Sequence, residues 1–96
     1  MAVDSALRLS AQRALLGVIV PAIRLIRVSR TGDHIRFSAL TAEPLGEDEI
    51  EALSIAAAEI IADFSDCTIS EDVQVHTGPL PEEDVLDAGW VYLRAE

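Results

Sequence analysis

Lysine is absent from this 96-residue chain, and cysteine and histidine are scarce. The single cysteine, Cys67, cannot form an internal disulfide, which favours a reducing, cytoplasmic location. Neither Cys67 nor the two histidines, His34 and His76, has a partner at metal-ligand spacing. The sequence therefore predicts no metal site and no cofactor.

Long apolar runs and catalytic motifs are also missing. The best apolar run, from Ala14 to Ile23, contains Gly17 and Pro21, whereas a membrane helix needs about 20 apolar residues. The N-terminus lacks a basic segment leading into an apolar one, so we expect no secretory signal. The glycines of "TGD" and "TGP" stand alone and form no phosphate loop. We expect a protein that is not an enzyme and has no membrane partner.

Charge is distributed very unevenly along the chain, whose net charge is −10. Residues 1–42 contain six arginines and two acids, a balance of +4, whereas residues 43–96 contain fifteen acids and one arginine, a balance of −14. A field this negative repels nucleic acid and accelerates encounter with a basic protein. The arginines of the first hairpin have no exposed aromatic residue among them that could stack bases, so we expect them to pair with acids instead. Solubility alone is the alternative reason for the acidity.

Hydrophobic periodicity predicts two helices and four strands. The first helix begins at Asp4 or Ser5 and ends at Gly17, and two alternating strands follow around the turn "TGD". A second helix begins at Gly46, and the segments "TISEDVQVH" and "WVYLR" are typical of strands. The predicted fold is a single α+β domain, residues 1–96, with the order α-β-β-α-β-β. We expect a four-stranded antiparallel sheet of order 2-1-3-4, with strands 2 and 4 at the edges and both helices on one face.

The second helix has an apolar stripe and an acidic start. Its stripe is predicted to consist of Ile50, Leu53, Ala57, Ile61 and Phe64, and Ile60 widens it. Glu47, Asp48 and Glu49 fall in the first turn, where negative side chains stabilise the helix.

Several acids are not explained by stabilisation of the helix start, and they are candidates for a binding surface. Glu51 and Glu59 lie further along the helix, beside the outward-facing Ile55. Ile55 is either a contact residue or one of the isolated apolar residues found on any surface. The predicted partner-binding residues are Glu47, Asp48, Glu51, Ile55, Glu59, Glu82, Glu83, Asp84 and Asp87. The last four belong to a loop rich in proline and glycine.

The segments "AQRALLG", "EIIADFSD" and "WVYLR" resemble those of small bacterial toxin-immunity proteins of the contact-dependent inhibition and polymorphic-toxin kind. The resemblance implies a cytoplasmic immunity protein that neutralises an incoming toxin domain. The acidity suggests a basic partner, such as a nuclease domain. The alternative is a small structural or regulatory homodimer assembled through the strand 4 edge or Ile55.

Overall fold

A computed structural model describes residues 5–81 and 90–94 of the chain. Its elements confirm the predicted α-β-β-α-β-β order and the α+β class. They are α1 (Ser5–Ala14), β1 (Ile23–Thr31), β2 (His34–Thr41), α2 (Glu47–Ala62), β3 (Thr68–Val75) and β4 (Trp90–Leu93). Glu82, Glu83, Asp84 and Asp87 lie outside the described residues.

The strands β1 and β2 form the predicted antiparallel hairpin. Gly32 occupies its turn with φ +61°, a left-handed conformation that glycine adopts without steric cost. The register places Val28 opposite Phe37 and Ile26 opposite Ala39. All four side chains are buried, because alternate residues of each strand point to the same face of the sheet.

The sheet is mixed and has the order β3-β2-β1-β4, so the predicted antiparallel sheet of order 2-1-3-4 is wrong. The 16-residue helix α2 is about 24 Å long and returns the chain to the beginning of β2. The next strand, β3, therefore runs parallel to β2, and it lies beside β2 rather than beside β1. The interior strand β2 is not an edge, whereas β3 and β4 are.

Polar side chains of β2 bridge to β3. The His34 ring nitrogens Nδ1 and Nε2 lie 2.9 Å from Thr68 Oγ1 and 3.0 Å from Ser70 Oγ. Arg36 Nη2 lies 3.8 Å from Asp72 Oδ2. These contacts help to explain why β3 pairs with β2.

Both helices pack on the same face of the sheet, as predicted. The residues of the shared core are Leu7, Ala11, Ala14, Leu15, Ile23, Ile26, Val28, Ile35, Phe37, Ala39, Leu53, Ala56, Ala57 and Ile60. The buried Ser10 of α1 also donates a hydrogen bond to the Asp63 carboxylate at the end of α2. Neither described helix has the length and apolar character needed to cross a membrane.

The buried stripe of α2 matches the prediction at Leu53, Ala57 and Ile60 and differs from it at Ile50 and Ala56. Ile50 is 47% exposed, whereas Ala56 is fully buried. Leu53, Ala56, Ala57 and Ile60 follow the i, i+3, i+4, i+7 pattern of a helix face. The buried face of α2 therefore begins at Leu53 rather than at Ile50, and Ile61 and Phe64 are partly buried against the core.

Candidate partner-binding surface

The N-terminus of α2 explains some of the acids in this part of the chain. Gly46 is the N-cap residue, and its backbone N–H donates a 2.9 Å hydrogen bond to Glu49 Oε1. Glu47 and Asp48 are exposed in the same first turn, as predicted. Each exposed acid there stabilises the helix by about 0.3–1 kcal/mol through the partial positive charge of the helix end.

A second group of acids lies on the side of α2 directed away from the core. Because each residue turns the helix by about 100°, Glu51, Ile55 and Glu59 lie roughly opposite Leu53 and Ile60. They repeat every four residues and therefore follow one another along the helix surface. We call Asp48, Glu51, Ile55 and Glu59 the α2 outer face. All four side chains are exposed, and Ile55 is exposed by 54%.

Two of the three charges on the α2 outer face, those of Glu51 and Glu59, do not follow from helix stability. The sequence of α2 contains no lysine or arginine that could neutralise its acids. Glu51 and Glu59 lie beyond the first turn, and Glu59 is in the last turn, where the partial negative charge of the helix end disfavours an acid. Glu59 therefore reduces helix stability slightly, Glu51 is not explained by the helix end, and both make one exposed face strongly negative.

The face of the sheet directed away from the helices carries charges of both signs. A groove of about 230 Å³ crosses it, and its charged lining residues are Arg27, Arg36 and Asp72. Arg36 and Asp72 are the pair described above, which agrees with the expectation that arginines of the first half meet acids of the second. This face would repel a basic partner more than the α2 outer face would.

The structure thus brings five predicted site residues together on one helix: Glu47, Asp48, Glu51, Ile55 and Glu59. Their role in binding stays a prediction. Over residues 5–81 and 90–94, no group of histidine, cysteine and acidic side chains is arranged to hold a metal ion.

The sequence did not identify the outer edge of β3 as exposed, because its alternation does not reveal which strand lies beside it. Val73 and Val75 share one face of this strand and are 37% and 50% exposed. This edge is a second feature that a partner could contact.

A family model described as MafI2 immunity protein matches residues 4–96, which is nearly the whole chain. A comparison with curated proteins finds no match.

Proposed function

Because this chain belongs to the MafI2 immunity protein family, we propose that it binds a toxin domain and thereby neutralises it. The family match confirms the resemblance drawn from the sequence. In this proposal the chain acts in the cytoplasm as a stoichiometric binding protein, not as an enzyme.

We propose further that the toxin domain is basic and of the nuclease class. The supporting observation is the α2 outer face, where Asp48, Glu51 and Glu59 surround the exposed Ile55 without a basic residue in the helix. A nuclease must hold a polyanion and therefore presents a basic surface. An acidic inhibitor is attracted to that surface at long range and competes with the nucleic acid for it.

The same acids argue against a homodimer formed through Ile55. In a two-fold symmetric dimer each surface meets its own copy. Glu51 and Glu59 would then approach Glu51 and Glu59 of the second chain, and like charges brought together at an interface cost several kcal/mol. A basic partner meets the same surface with opposite charge.

The test begins with the partner recovered from the native strain by pull-down and identified by mass spectrometry. Co-expression of this chain should restore growth to cells that produce the toxin domain. Binding is then measured by surface plasmon resonance over a salt series with a catalytically inactive form of that toxin domain. We expect the co-expressing cells to grow and the chain to form a one-to-one complex with the toxin domain.

Two variants with equal net charge identify the surface responsible. The first carries Asp48→Asn, Glu51→Gln and Glu59→Gln, and removes three charges from the α2 outer face. The control carries Asp33→Asn, Glu43→Gln and Asp66→Asn, which removes three charges from exposed acids elsewhere.

Only the first variant should lose a large part of the association rate at about 0.01 M salt, where the Debye length is about 30 Å. The difference in association rate between the two variants should vanish near 1 M salt, where the Debye length is about 3 Å. Equal losses in both variants would show that overall charge, not the α2 outer face, attracts the partner. A toxin domain that does not bind the chain would refute the proposed function.

A further inference from the structure

The outer edge of β3 carries backbone groups that no described strand satisfies. Among the described strands, β3 is terminal in the sheet and pairs only with β2. At the two ends of this ladder, the N–H of Thr68 donates to Asp33 O and the N–H of His76 donates to Thr41 O, both at 2.8 Å. Backbone groups alternate in direction along a strand, so even-numbered residues face β2. The N–H and C=O groups of Ile69, Glu71, Val73 and Val75 therefore point outward.

The side chains of these outward-pointing residues lie on the helix side of the sheet. The register pairs Glu71 with Phe37, Val73 with Ala39 and Val75 with Thr41, and paired residues of neighbouring strands share a face. Their β2 partners are fully or almost fully buried, but Val73 and Val75 remain 37% and 50% exposed. The free edge is thus continuous with an exposed apolar pair and with the carboxylate of Glu71.

We propose that this edge of β3 pairs with an extended strand of the toxin domain that carries lysine or arginine opposite Glu71. The inference rests on the proposed function and assigns a second contact besides the α2 outer face. In such pairing, backbone hydrogen bonds provide affinity, and alternate side chains provide specificity. β3 offers eight residues for it, whereas the other edge strand, β4, has four.

The charges at the edge of β3 favour pairing with a toxin strand over pairing with a second copy of this chain. An antiparallel pair of β3 strands joined through these outward groups would place Glu71 opposite Glu71 of the second chain if it is centred on Glu71, or Asp72 opposite Asp72 if it is centred on Asp72. Like charges directly opposite each other destabilise a strand pair, and each chain also carries a net charge of −10. A strand with basic side chains replaces that repulsion with attraction. The acids therefore protect the edge against self-association and leave it open to a basic strand.

A proline substitution can remove an outward N–H without touching the ladder to β2. Val73→Pro eliminates one outward donor and is tolerated on an edge strand better than in a central one. Val73→Ala is the matched control, because it shortens the side chain but keeps the N–H. We expect Val73→Pro to weaken binding of the toxin domain about tenfold or more, because a backbone acceptor of the partner strand would be left without its donor. Val73→Ala should weaken it by less, and thermal melts of both variants report whether the fold persists.

Amide hydrogen exchange of the unmodified chain, followed by NMR, tests the same proposal without a substitution. In the free protein, the amides of Asp72 and Gln74 should be protected, and those of Glu71, Val73 and Val75 should exchange rapidly. Addition of the toxin domain should protect the three odd-numbered amides.

The outcomes separate the two proposals. If the toxin domain binds but these amides stay unprotected, the strand-pairing proposal is wrong and the proposed function stands. Protection of the same amides in the free protein, with a dimer in analytical ultracentrifugation, would overturn the choice of a toxin strand. If the toxin domain does not bind, the proposed function fails, and the strand pairing fails with it.

Discussion

Replacement of Ile55 by alanine should weaken toxin binding without weakening the fold. Complete burial of an isoleucine side chain stabilises a complex by about 1.5–3 kcal/mol. Ile55 is 54% exposed, so about half of that free energy, near 1 kcal/mol, is available at an interface. Because 1.4 kcal/mol corresponds to a tenfold change in Kd, Ile55→Ala should raise the Kd about fivefold. The free energy of unfolding should hold or rise slightly, since alanine has the highest helix propensity.

The chain contains a closely matched control on its other helix. Leu9 of α1 is 53% exposed, and its replacement by alanine removes a similar apolar area from outside the α2 outer face. Isothermal titration calorimetry with the toxin domain measures the Kd of both variants, and urea unfolding measures their stability. We expect Leu9→Ala to leave the Kd unchanged. Equal Kd values for Ile55→Ala and the unmodified chain would refute Ile55 as a contact residue.

Two further predictions concern the stability of the helices. Ser10→Ala removes the donor to the Asp63 carboxylate and should lower the free energy of unfolding by about 1–3 kcal/mol. Asp63→Asn keeps an acceptor and should lower it by less. Equal urea midpoints for Ser10→Ala and the unmodified chain would contradict this prediction. Joint replacement of Glu47 and Asp48 by lysine should cost about 1–2 kcal/mol, because basic side chains would then face the positive end of α2. A differential scanning calorimetry Tm equal to that of the unmodified chain would show that these acids do not stabilise the helix.

Features encoded by neighbouring residues were predictable from the sequence. The turn "TGD" and the alternation on both sides of it indicate the β1–β2 hairpin, and the register that buries Phe37 and Ala39 follows from that turn. The start of α2 was also predictable, because acids in a first turn stabilise a helix N-terminus. In both cases the determining interactions lie within a few residues along the chain.

Features that depend on distant contacts were not predictable. The alternation of "TISEDVQV" indicates a strand but does not reveal whether its neighbour is β1 or β2. Contacts such as those of His34 with Thr68 and Ser70 join residues 34 and 36 positions apart and have no local signature. The error in strand order also concealed the free edge of β3. By contrast, the exposure of Ile55 follows from helical periodicity alone.

The fold separates the residues that stabilise it from those proposed to bind. Leu53, Ala56, Ala57 and Ile60 contribute the buried side of α2, and the acids of its outer face make no contribution to that core. Likewise, the ladder between β2 and β3 uses one edge of β3 and leaves the other available. Substitutions on the outer face and outer edge should therefore change the choice of toxin at little cost in stability, because exposed substitutions typically alter the free energy of unfolding by less than about 0.5 kcal/mol. Such a division lets one scaffold acquire new partners by changing charge and shape at its surface alone.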